Sequence, residues 1–129
     1  MADLIRKRLT GKEEGFTLIE LLVVIVILGI LMAIAVPSYM GFKDRANRSA
    51  AQANVRSGLT SVEAYYQDNG TYVGMTQAAL KLIDPGLKLD TTMNGLTATS
   101  YCVQATIGSG AGAITYKSGP DHSITAGTC

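Results

Sequence analysis

The chain has no tryptophan, two phenylalanines and one histidine in 129 residues, and only 16% of its side chains are charged. So few large aromatics argue against a big globular core; fourteen glycines and abundant Ala, Ser and Thr fit a slender chain with a small one. The lone histidine, His122, sits beside Asp121 in a turn and reads as an exposed polar residue. No serine, cysteine or acid is spaced to form a nucleophile–base pair, so no enzymatic role is expected. The formal charge is +1, and nothing in that balance points to a nucleic-acid groove or a polybasic membrane patch. Asp84, Asp90 and Asp121 lack the dense run of oxygen ligands that calcium needs. They are read as exposed loop acids, with no metal and no cofactor expected. Gly108–Gly112 lacks the Gly-Lys-Ser/Thr ending of a phosphate loop and reads as a hairpin tip.

What the chain does have is one apolar run, Phe16 to Val36, broken by a single acid, Glu20. Its 21 residues suit a hydrocarbon layer about 30 Å thick at about 1.5 Å per helical residue. Arg6, Lys7, Arg8 and Lys12 precede it, which predicts a cytoplasmic N-terminal side. A carboxylate at mid-bilayer costs roughly 2.5–3.5 kcal/mol on insertion scales, so Glu20 needs a partner. Ala33-Ile34-Ala35 would fit a secretory cleavage site releasing a soluble domain at Val36, but the run exceeds an ordinary signal core of about 7–15 residues and leaves Glu20 without a use. A cut just before the run gives the acid a role. A new amine at Phe16 stands at i and Glu20 at i+4, one helical turn apart, and a helix N-terminus itself favours a carboxylate.

Gly15-Phe16-Thr17-Leu18-Ile19-Glu20-Leu21-Leu22-Val23-Val24 and the apolar helix that follows resemble the type IV pilin and pseudopilin family. Gly29 and Pro37 stand where many pilins carry a helix-loosening glycine and proline, and Ala64 to Tyr72 resembles the segment where such subunits end their long helix. The resemblance implies cleavage between Gly15 and Phe16, N-methylation of Phe16, and assembly through Glu20, Gly29 and Pro37. It also implies a homo-oligomeric filament, a membrane-bound stage before assembly, and a prepilin peptidase and methylase, a platform protein and assembly ATPases as partners. The precursor is expected in the cytoplasmic membrane and the assembled filament outside the cell. A type II secretion pseudopilin and a minor pilin that binds DNA or a surface are the alternatives.

The expected organisation is a leader over 1–15, an apolar helix over 16–37, its amphipathic continuation over 38–69 and a small β domain with a connecting loop over 70–129. The fold class is α+β, a long helix packed in its upper half on a small antiparallel sheet. As one helix, Phe16 to Asp68 would run about 80 Å, more than a domain of this size can bury, so lateral partners are required. Residues 1–15 hold four of the eleven basic and three of the ten acidic side chains, leaving seven of each. Val55, Leu59, Val62 and Tyr66 recur with helical spacing as a packing face, and Phe42, Ala46, Ala50 and Ala53 form a stripe of mostly small residues. Gly41 and Gly58 are expected to loosen the helix. Pro37 is expected to kink it. Thr76 to Ile83 reads as a short helix capped by Thr76 and stopped by Pro85-Gly86. Strands are expected over Leu96–Ile107, Ala113–Lys117 and His122–Ala126, with Tyr65, Tyr66 and Tyr72 packed beneath them. Cys102 and Cys129 are an even pair in an exported domain, which favours a disulfide. Two buried free thiols are the alternative, although a terminus is rarely buried unless tied down.

Overall fold

The computed structural model describes residues 15–129; the leader expected over 1–15 therefore lies outside the described residues except for Gly15. Helix α1 spans Leu18–Asn69 and contains Pro37. The chain divides into two compact units after Met40.

In the first unit α1 is apolar on every side and buried on none. Leu21 to Val36 leave about half or more of each large side chain exposed, from 48% at Leu28 to 68% at Ile34. Such a helix has no stable place in water, and it is long and apolar enough to cross a membrane.

In the second unit α1 is one-sided. Ala51, Val55, Gly58, Ser61 and Val62 are buried, with Leu59, Tyr65 and Tyr66 packed beside them. Gly70, in the left-handed region at φ 68°, ends the helix, and its N–H donates to the Tyr66 carbonyl at 2.7 Å. That is a conformation glycine adopts without a Cβ penalty. Helix α2 follows at Gln77–Ile83, with the Thr76 hydroxyl accepting from Ala79 N at its start. Four strands then form an antiparallel meander in sequence order: β1 (Met93–Asn94), β2 (Cys102–Ile107), β3 (Ile114–Ser118) and β4 (Ile124–Ala126). Val103 pairs with Met93 on one side and Ser118 on the other. Tyr101, Val103 and Ala105 face the core with Val55, Val62, Met75 and Leu80.

The sheet differs from the sequence expectation in two places. It has a fourth strand, β1, whose two residues leave no readable alternation. The first long strand begins at Cys102 rather than Leu96. Thr97 breaks it, because its hydroxyl accepts from both Thr99 N and Ser100 N. Threonine offers the backbone a turn in place of a ladder there. The Thr97 carbonyl accepts from Tyr72 N at 3.2 Å, tying this turn to the segment after α1.

Gly58 is a close-approach point rather than a loosening one. A Cβ added there would stand 2.5–2.7 Å from three atoms of Leu89, itself 2% exposed. Asp90, expected as an exposed loop acid, is half-buried and accepts from Gln104 Nε2, Thr106 N and Thr106 Oγ1 at 2.6–3.1 Å. Gln104 also accepts from Cys129 N at 2.8 Å. This network explains why Gln104 is buried although it points away from the helix. Cys102 and Cys129 are joined by a disulfide across 27 residues, fastening the chain end to β2.

Candidate functional site at the head of the apolar helix

The first intrahelical hydrogen bond runs from Leu21 N to the Thr17 carbonyl, which makes Thr17 the N-cap. The Thr17 hydroxyl accepts from Glu20 N at 3.3 Å, and Glu20 Oε2 accepts from Thr17 N at 3.0 Å. This reciprocal pair is a capping box: two N–H groups that the helix cannot bond internally are both satisfied. The sequence carries its signature, Thr17-Leu18-Ile19-Glu20, which pairing Glu20 with the Phe16 amine and the helix dipole leaves out.

The box changes the geometry expected from spacing alone. Phe16 and Glu20 are four residues apart, but Phe16 precedes the helix and is 92% exposed. The polar work at this point is done by a backbone N–H, with the helix dipole adding its positive end. A carboxylate has about four lone-pair sites, so capping leaves Glu20 able to accept from an ammonium as well. Gly15 is exposed beside Phe16, which leaves that peptide bond accessible.

Gly29 has open space around it, with no atom within 4 Å of an added Cβ. Pro37 lies inside α1, and the assigned helix continues past it. Both residues are exposed.

Asp84 and Asp121 are spent locally. Asp84 Oδ1 accepts from Gly86 N. Asp121 accepts from Ser123 N and Oγ, and these bonds hold its carboxyl below the usual range. Among the described residues no group of three or more His, Cys, Asp or Glu is placed to hold a metal ion. Tyr66 stacks on Tyr72 and Tyr101 meets Tyr72 at a tilt of 51°, both pairs with centroids 4.6 Å apart. Tyr65 instead donates to the Val73 carbonyl. Burial, reinforced by Tyr72, Glu63 and Asp121, pushes the Tyr101 hydroxyl up to about 12. His122 Nε2 lies 3.9 Å from Glu63 Oε2.

A family profile described as the prokaryotic N-terminal methylation motif matches residues 11–36. The chain is 35% identical over 116 residues to the type IV wide pilus major component PilA4 of Thermus thermophilus, covering 86% of this chain and 85% of that one. It belongs to the type IV pilin and pseudopilin family. Type II secretion system core protein G of Escherichia coli is 36% identical over 77 residues, 60% of this chain and 53% of that protein. The major pilin PilA of Myxococcus xanthus is 37% identical over 65 residues, 50% of this chain and 30% of that protein. The chain thus spans about half the length of the first secretion relatives it matches, and most of the length of the Thermus pilin. These relatives are named as filament and secretion components. An apolar N-terminal helix with the methylation motif suits a membrane-anchored pilin precursor.

Proposed function

We propose that the chain is the precursor of a structural subunit of a type IV pilus-like extracellular filament. A peptidase cuts after Gly15, Phe16 is N-methylated, and the mature chain polymerises through packing of its apolar helix. The observation that carries this reading is the bare apolar half of α1, headed by a carboxylate. An apolar surface of that extent is stable only in lipid or against other apolar helices.

Before assembly the segment crosses the cytoplasmic membrane once, with its basic leader inside. There the capping box and the new Phe16 amine share Glu20. In the filament the same carboxylate pairs with the Phe16 amine of a neighbour, and Gly29 permits close helix approach. Prepilin peptidase and methylase, a platform protein and assembly ATPases act on the chain; no direct role in nucleic-acid binding is assigned. The disulfide to Cys129 and the Asp90–Gln104 network brace the exported domain.

A second reading, a pseudopilin of type II secretion, is favoured by the Escherichia coli relative. The pilin reading has the broader support, because the match to the Thermus pilin extends through both units. Shearing whole cells, then imaging and immunolabelling the released material, tests it. Long labelled fibres are expected. Protein retained beneath the outer membrane, with no labelled fibres outside, would replace it with the secretion reading.

A further inference from the structure

The chain's near-neutral total hides a local segregation. Lys43, Arg45 and Arg48 follow the apolar run within twelve residues, opposed there only by Asp44. All three basic residues are exposed. Among the described residues the only ion pair is Glu63–His122, so none of these three cations has an acidic partner there. Tyr39 and Phe42, 66% and 72% exposed, lie just before them.

We propose that Lys43, Arg45 and Arg48 form a collar that binds the phosphates of anionic phospholipids on the outer leaflet before assembly. The proposal rests on the reading that Phe16 to Val36 spans a bilayer. Headgroups occupy about 5–8 Å on each side of the hydrocarbon. Lys43 and Arg45 follow Val36 by seven and nine residues, about 10–14 Å of helix. Helical side chains lean toward the N-terminus, here toward the bilayer, and long basic ones reach further. Counted along the chain, their charges therefore come within reach of the phosphates. Exposed aromatics such as Tyr39 and Phe42 suit the same boundary.

A second copy of the chain fits this collar less well. Among the described residues its exposed acids, Glu20, Asp44, Asp68 and Asp121, are scattered along the chain, and no three acids are gathered closely enough to hold a metal ion. Each basic side chain near an anionic surface is worth roughly a fivefold preference. Capture of anionic lipid would hold the subunit at a fixed depth, and extraction into a filament would have to break it.

The test uses the full chain in nanodiscs of equimolar phosphatidylglycerol and phosphatidylcholine, with retained lipids counted by native mass spectrometry. The wild type is expected to retain phosphatidylglycerol in several-fold excess, and the excess should fall with added salt. The variant Lys43→Gln/Arg45→Gln/Arg48→Gln should lose it while remaining embedded. Equal retention of both lipids by the wild type, or an undiminished excess in the variant, overturns the proposal. A variant that keeps the excess yet no longer polymerises assigns these residues to a neighbouring subunit instead. Carbonate extraction separates the two levels: a chain released from membranes removes the spanning reading itself, while an embedded chain without lipid preference removes only the collar.

Discussion

The same helix is built in two ways. From Leu18 to Met40 its apolar residues face outward on every side; from Ala51 to Tyr66 one face is buried and the rest is polar. The second stretch finds its partners in its own chain, in Leu80, Leu89, Tyr101 and Val103. The first finds none among the described residues of its own unit. Burial within a monomer is therefore the stabilising force for one half only. On the proposed reading the other half keeps its apolar surface for lipid and then for other copies.

That contrast can be broken from either end. The largest effect is expected at Glu20. Glu20→Ala removes the carboxylate of the capping box and of the proposed Phe16 pair, so fibre-incorporated protein should fall to background while membrane insertion persists. Fractionation and imaging of cells lacking a wild-type copy check this, and abundant fibres of the variant would contradict the role given to the carboxylate. Next comes the disulfide. Replacing Cys102 and Cys129 with Ser should cost the second unit about 3–4 kcal/mol by the loop-closure argument, read as a lowered denaturation midpoint, with insertion of the apolar half unaffected.

Gly58→Ala follows. The gain in helix propensity, about 1 kcal/mol, is set against overpacking onto Leu89, typically about 1–3 kcal/mol. A net loss of about 1 kcal/mol is expected by chemical denaturation. Gly29→Ala makes the complementary comparison: with open space around it, it should leave the second unit's midpoint unchanged and alter only fibre yield or stiffness.

A smaller effect concerns Tyr101. Its pKa in the folded chain, about 12, lies above its ordinary value near 10. Below pH 10 both states keep the proton and nothing changes. Between pH 10 and 12 the unfolded chain loses its proton first, so this contribution to stability is lost at up to about 1.4 kcal/mol per pH unit. Tyr101→Phe should flatten that part of the stability profile, and at pH 7 it should cost little, because the hydroxyl is buried without a hydrogen-bond partner.

Strong periodic or compositional features were legible in the sequence: the apolar run with its one acid, the Val55–Tyr66 face, and the α+β layout of long helix and small sheet. The Thr76 cap was legible because capping is a local rule. The Thr17–Glu20 box obeys the same rule and is equally local, with Glu20 three residues after Thr17. Long-range packing was not legible. Gly58 reads as a weak helix residue until Leu89 is found against it, and Asp90 reads as a loop acid until Gln104 and Thr106 are folded around it. The two-residue strand β1 is too short to carry an alternation of its own and is defined by its partner β2.

The central claim is that the apolar half begins a processed chain whose remaining partners are other copies. Mass analysis of the N-terminus of protein sheared from the cell surface tests it most directly. The account predicts a chain starting at Phe16 with one added methyl group. Fibres built from chains that retain residues 1–15, or surface protein that begins at Val36, would contradict it.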